Sequence, residues 1–192
     1  IISGDDFYYR LLDNGSYAIS LAEGKSAPQT LEIPSQIAGK AVTVIDENAF
    51  AGCDIQKVVI PSSIIEIMSK AFYGCDSLSE VDLADATALD SIRKEAFAGC
   101  TELEALEAGE SLMTIGESAF SGCQSLAELS IPGVTAIGKS AFKDCSSLEQ
   151  DIVLNGGIDK LDEYAFYNTG ITKITILSDT LPEIDGRALN NG

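Results

Sequence analysis

Apolar residues along the chain return in one fixed phase. Ala-Phe pairs stand at Ala49-Phe50, Ala71-Phe72, Ala96-Phe97, Ala119-Phe120, Ala141-Phe142 and Ala165-Phe166, and Ala188-Leu189 continues the series. The Ala positions step by 22, 25, 23, 22, 24 and 23 residues, a mean near 23 (139/6). Four residues before each Ala sits a branched aliphatic: Ile45, Ile67, Ile92, Ile115, Ile137, Leu161 and Ile184. Three residues after the Phe come Cys53, Cys75, Cys100, Cys123 and Cys145, with Thr169 in the sixth place. A period in this range, held through most of a chain, marks repeats that stack on one another.

Alternating apolar segments follow in the same phase: Leu78-x-x-Val81-x-Leu83, Leu103-x-x-Leu106-x-Ala108, Leu126-x-x-Leu129-x-Ile131 and Ile171-x-x-Ile174-x-Ile176. Period-two alternation predicts one short strand per unit. Pro34, Pro61 and Pro132 close three of these segments, as a strand end allows. Each Ala-Phe stretch is expected to form a compact turn of helix. One such unit cannot bury its own apolar face, so neighbours must stack into a continuous core. The fold class predicted is a repeat solenoid: short parallel strands forming one curved sheet, short helical turns on the opposite side, and an N-terminal β-hairpin cap. About seven units at strand spacing give a rod roughly 30–35 Å long.

The cap is read from Phe7-Tyr8-Tyr9-Arg10-Leu11-Leu12 and Tyr17-Ala18-Ile19-Ser20-Leu21, which flank Asp13-Asn14-Gly15-Ser16. An Asn-Gly pair between apolar runs signals a tight hairpin. The expected organisation is thus a capping hairpin over residues 1–29 and a solenoid over residues 30–192, with Leu31-Glu32-Ile33-Pro34 as its first strand. The sequence stops at Asn190-Asn191-Gly192, part-way through a unit, where the chain was cut or the last turn serves as a cap. No signal-like segment precedes Ile1, so the chain reads as an excised mature fragment.

Composition narrows the function classes. The 192 residues are 45% hydrophobic and 22% charged, as in globular proteins. No apolar run is long enough to span a bilayer, so direct membrane insertion is not expected. Thirty acidic residues against 12 basic ones give a net charge of -18, which repels nucleic-acid backbones and anionic lipid. Histidine is absent, which removes the commonest general base and metal ligand.

The stretches IPSQIAGKAVTVIDENAFAGC and IPGVTAIGKSAFKDCSSL together resemble the BspA-type leucine-rich repeats, over about residues 30–189. The resemblance implies an α/β-type leucine-rich repeat solenoid of a secreted or surface-anchored bacterial protein, in a family where some members adhere to host proteins and other cells. The Gly that this family often carries after the core aliphatic is kept at Gly116 and Gly138, but is Asp46, Met68, Arg93, Asp162 and Asp185 elsewhere.

Several motifs invite sharper readings. Gly133-Val134-Thr135-Ala136-Ile137-Gly138-Lys139-Ser140 matches the phosphate-loop pattern GxxxxGK[ST]. The repeat register sets nucleotide binding aside, because Val134 and Ile137 align with core aliphatics. The five cysteines are spaced unlike zinc ligands and are expected as a column of buried, reduced thiols. Free thiols usually argue against an oxidising compartment, and an anaerobic habitat would reconcile them with surface display. Asn14-Gly15-Ser16 fits a glycosylation pattern but is explained by the hairpin turn. No acidic pair stands out for glycosidase chemistry.

The candidate binding face is the outward side of the predicted strands. One column reads Lys57, Glu80, Ala105, Glu128, Asp151 and Lys173, the other Val59, Asp82, Glu107, Ser130, Val153 and Thr175. Its acidic middle suits a basic protein segment or weak calcium binding. The function expected is a non-enzymatic extracellular or cell-surface binding module, without cofactor or bound metal, whose partner is a protein or extracellular-matrix ligand. Alternatives are a structural spacer in a larger surface protein and a carbohydrate-binding module, for which Tyr73 and Tyr167 are the aromatic candidates.

Overall fold

The computed structural model describes residues 2–3, 6–155, 157–177, 180 and 182–189. The seven aliphatics that define the repeat, all buried except the exposed Ile184 of the last coil, are also the register of its longest sheet. Ile45 pairs with Ile67, Ile67 with Ile92, Ile92 with Ile115, Ile115 with Ile137, Ile137 with Leu161, and Leu161 with Ile184, all parallel. After Lys40–Ile45 each unit gives this sheet a strand of only two residues, such as Glu66–Ile67 and Thr114–Ile115. Ile45, Ile67, Ile92, Ile115 and Ile137 are fully buried, so a one-residue slip in any coil would put an isoleucine into water.

The hairpin Phe7–Leu11 and Tyr17–Leu21 joins the same sheet. Its two strands pair antiparallel, and Tyr17–Leu21 runs parallel to Lys40–Ile45 with a register shift at Tyr17/Ala18. The turn forms as the Asn-Gly pair predicts: Gly15 takes a φ of +85° and its N–H donates to the Leu12 carbonyl at 2.9 Å.

The strands read from the alternating segments are present, but they do not form one sheet. Thr30–Glu32, Lys57–Val59 and Glu80–Asp82 make one ladder, Ala105–Glu107 and Glu128–Ser130 a second, and Ile152–Leu154 and Ile174–Ile176 a third. The expectation of one curved sheet is corrected here to a continuous sheet of two-residue strands plus this broken wall. Insertions explain the breaks. Leu83 to Ile92 spans nine steps where Ile60 to Ile67 spans seven, and the surplus is taken up in a turn closed by Thr87 N–H to Asp85 O at 2.8 Å. Leu148 to Ile152 spans four steps where Leu126 to Leu129 spans three. There the Gln150 side-chain amide donates to the Leu129 carbonyl at 2.7 Å in place of strand pairing.

The expected helical turns are also corrected: no α-helix occurs among the described residues. Each Ala-Phe stretch is a run of tight turns with i→i+3 bonds, as in Ala49 N–H to Asp46 O, Ala51 N–H to Asn48 O and Cys53 N–H to Phe50 O. Asn48, Lys70, Glu95, Ser118, Ser140 and Tyr164 all sit at φ of +54° to +59°, which no α-helix contains. The N–H groups freed in this way turn sideways and bind the next coil: Phe50 to Ala71 O, Phe72 to Ala96 O and Phe97 to Ala119 O, at 2.7–2.8 Å. The Ala-Phe turns are therefore a third inter-coil ladder, here called the ridge.

Behind the ridge the rings of Phe50, Phe72, Phe97, Phe120, Phe142 and Phe166 stack with centroids 5.0–5.4 Å apart and planes within 13° of parallel. The Phe7 ring of the hairpin meets Phe50 edge-on at 6.2 Å and ends the column. Beside it runs the thiol column. Cys75, Cys100, Cys123 and Cys145 are buried, and each Sγ–H donates to the Phe carbonyl of the preceding coil at 3.1–3.2 Å. All five cysteines are free. Thr169 keeps its hydroxyl within its own coil, on Phe166 O at 2.9 Å.

Candidate functional site

The broken wall turns its non-core residues outward because strand alternation buries the residues between them. Val58, Val81, Leu106, Leu129 and Ile152 point into the core, which leaves Glu80, Glu107, Glu128, Ser130, Asp151 and Lys173 exposed. Lys57 and Asp82 are half-buried in the same columns. Pairing fixes the columns: Lys57 lies opposite Glu80, Val59 opposite Asp82, and Glu107 opposite Ser130.

The face is partly self-neutralised at one end. Lys57 Nζ lies 2.7 Å from Glu80 and 3.4 Å from Asp82. The hydrogen bond to Glu80, with Asp82 behind it, raises the Lys57 ammonium above its ordinary range. Beyond Asp82 the wall opens. Between Glu80–Asp82 and Ala105–Glu107 lies a groove of about 430 Å³ lined by Ser79, Glu80, Asp82, Ala84, Glu104 and Glu107, with Val81, Leu83 and Ala105 at its apolar base. A second depression of about 450 Å³ continues it past Glu104, Ser125, Glu128 and Ser147. Glu80, Asp82 and Glu107, read from the sequence as the acidic centre, thus meet around one groove, whereas Asp151 and Lys173 lie beyond the second break. Glu104 was missed because it lies in the two-residue gap between Leu103 and Leu106, outside the strict alternation that sets the two columns. The surplus length after Leu83 was the available signal for the opening.

Among the described residues no group of three or more Cys, Asp or Glu is gathered closely enough to hold a metal ion. The phosphate-loop lookalike is occupied by repeat packing. Val134 and Ile137 are buried, as the register predicts, and Lys139 is ion-paired to Glu163 at 2.9 Å. Its glycines answer to the neighbouring coil. A Cβ on Gly138 would come within 2.7 Å of the Glu117 backbone N, and one on Gly133 would overlap the Glu110 carbonyl.

The parallel ladders, seven in-phase aliphatics and stacked coils define a parallel β-solenoid of the leucine-rich repeat type, of about seven turns. The model of the BspA type leucine rich repeat region matches residues 28–149 and 77–192, in six copies, and the chain belongs to that family. A solved leucine rich repeat protein of T. pallidum is similar at 28% identity and a TM-score of 0.82, covering 95% of this chain and 85% of its own. A leucine rich cell surface protein of Faecalibacterium prausnitzii shares 24% identity at a TM-score of 0.62, over 96% of this chain and 56% of that one. The pneumococcal vaccine antigen PcpA shares 24% identity at a TM-score of 0.70, over 97% of this chain and 50% of that one. The chain thus spans about half the length of the last two, whose likeness is one of fold. No curated protein matches the chain. Leucine-rich repeat families typically bind other proteins or serve as structural elements, and are generally non-enzymatic. Among the described residues no helix is long and apolar enough to cross a membrane.

Proposed function

We propose that this chain is a binding module displayed outside a bacterial cell, without cofactor or chemistry, whose broken wall receives a basic segment of a protein or matrix partner. The observation that carries this reading is the groove where Glu80, Asp82, Glu104 and Glu107 converge between two strands of the wall. A cationic side chain entering it gains carboxylates on both walls and apolar contact at the base, and like-charged competitors are repelled. The surface assignment is supported by family membership and by two proteins of similar fold, a cell surface protein and a vaccine antigen.

The test screens the domain against host matrix proteins, glycans and bacterial surface proteins by biolayer interferometry. The E80K/D82K/E107K variant is then measured on any binder. The expected result is an affinity loss of tenfold or more, together with weakening of the unmodified protein's binding as salt rises. Unchanged affinity in the triple variant would remove this face from the interface. The spacer reading is favoured by one feature, the unbroken column of backbone ladders and stacked rings. It predicts that no partner depends on the wall at all.

A further inference from the structure

The ridge, not the wall, carries every tyrosine outside the hairpin: Tyr73, Tyr164 and Tyr167. Tyr164 and Tyr167 stand three residues apart on one turn, half-buried, their rings edge-to-face with centroids 5.4 Å apart at 80°. Lys143 reaches across from the preceding coil to 5.7 Å from the Tyr167 ring. With Ser140 these side chains enclose a depression of about 220 Å³.

The fold does not call for these rings. At the corresponding places two coils earlier stand Ser118 and Ser121, whose coil keeps the same φ near +54° and the same buried Phe120. Tyr164 and Tyr167 are thus dispensable to the core beneath them, yet they add aromatic surface to a polar ridge. The two cations beside them differ. Arg187 is held by Glu163 at 2.7 Å and Asp185 at 3.2 Å. Lys143 has Asp144 only at 3.9 Å, and that carboxylate already accepts the Asn168 amide at 2.8 Å. Lys143 is therefore the cation of this corner that is freest to meet a ligand.

We propose that this depression is a saccharide-binding site that takes a carboxylate-bearing sugar residue, such as a uronate. A sugar ring has an apolar C–H face, which packs on a tyrosine ring, and an edge of hydroxyls, which needs partners such as the Ser140 and tyrosine hydroxyls. The sugar carboxylate meets the Lys143 ammonium. The net charge of -18 repels an anion at long range, so affinity rests on these short contacts and is weak, in the millimolar region. This site is independent of the groove on the broken wall.

The test titrates the full chain with a glucuronate-containing tetrasaccharide and with a neutral glucose tetrasaccharide, following tyrosine ring resonances by NMR. With the uronate probe the Tyr164 and Tyr167 signals are expected to move while those of Tyr9 and Tyr17 stay. Y167A should weaken binding roughly fivefold. K143Q should bring the uronate probe down to the level of the neutral one, and E80K/D82K/E107K should leave both unchanged. Y164S/Y167S copies the residues of the Ser118 coil, so it is expected to fold, which a melting curve checks, and to lose binding. Unmoved Tyr164 and Tyr167 signals at millimolar probe, or undiminished binding by the folded double variant, would overturn the site. An equal response to both probes in the unmodified protein would overturn the assignment of an acidic sugar.

Discussion

At the scale of single residues, the repeat spends its largest side chains on one column. Phe97 lies between Phe72 and Phe120, 5.0 and 5.2 Å from them, and is fully buried. Cutting it to Ala opens a cavity that two flanking coils cannot collapse into while their own ladders hold. F97A is therefore expected to cost about 3–5 kcal/mol in chemical denaturation; a loss below about 1 kcal/mol would mean that the rings do not form the core. The thiols of the neighbouring column are kept from chemistry by the same packing. Burial raises every cysteine above its ordinary range, Cys75 and Cys145 to about 12, so the reactive thiolate is scarce at neutral pH. A colorimetric thiol reagent should label the half-buried Cys53 first in the native protein, and Cys75, Cys100, Cys123 and Cys145 only after unfolding. Fast labelling of Cys100 in the native state would contradict that packing.

At the scale of elements, what was legible in the sequence was whatever burial selects. The positions of Ile67, Ile92 and Ile115 declared the pairing register, because each must stay out of water in its own coil. The outward columns of the wall followed from alternation, and so did the acidic group Glu80, Asp82 and Glu107. The form of the Ala-Phe stretch was not legible from apolar spacing, since a helical turn and a run of tight turns bury Ala and Phe alike. The missed signal was punctuation: Gly52, Gly74, Gly99 and Gly122 recur just before the Cys, all at positive φ, and Asp144 and Asn168 fill the place in later coils. Asn and Asp are the side chains that best tolerate this conformation. G74A, which meets no atom within 4 Å of its new Cβ, is thus expected to lose about 1–2 kcal/mol through backbone strain alone, and G74N to lose less. Equal melting temperatures for G74A and the unmodified protein would show that the turn does not require that backbone form. Tyr164 was overlooked for a similar reason, because its backbone place in the turn is filled by unrelated residues in other coils.

At the scale of the molecule, a stack in which each coil touches only its neighbours is weakest where a neighbour is missing. We propose that the hairpin caps the N-terminal end, and that a charged clamp helps to hold it there. Arg10 Nε and Nη2 each donate to the Asp46 carboxylate at 2.7 Å, joining hairpin to first coil, and Ser16 meets Thr43 through a buried hydroxyl pair at 2.7 Å. Burial works to raise the Asp46 carboxyl, but the Arg10 hydrogen bonds and the Glu47 N–H outweigh it and hold it below the ordinary carboxylate value of 3.8. A carboxyl lowered in the folded state gives stability that is fully present above the unfolded value and is lost as pH falls through the folded one. Arg10 is about half exposed, so screening limits the clamp to about 1 kcal/mol. Acidification also discharges the -18 surface, which relieves repulsion along the whole rod, so a global melt mixes two opposed effects. Position along the stack separates them. As pH drops below 3.8, hydrogen-exchange protection at Tyr17–Leu21 is expected to fall relative to the central strand Ser91–Ile92, and D46N should show the same local deficit already at neutral pH. If D46N leaves that ratio unchanged at neutral pH, the clamp does not hold the hairpin, and packing of Phe7 on Phe50 together with strand pairing must hold this end without it.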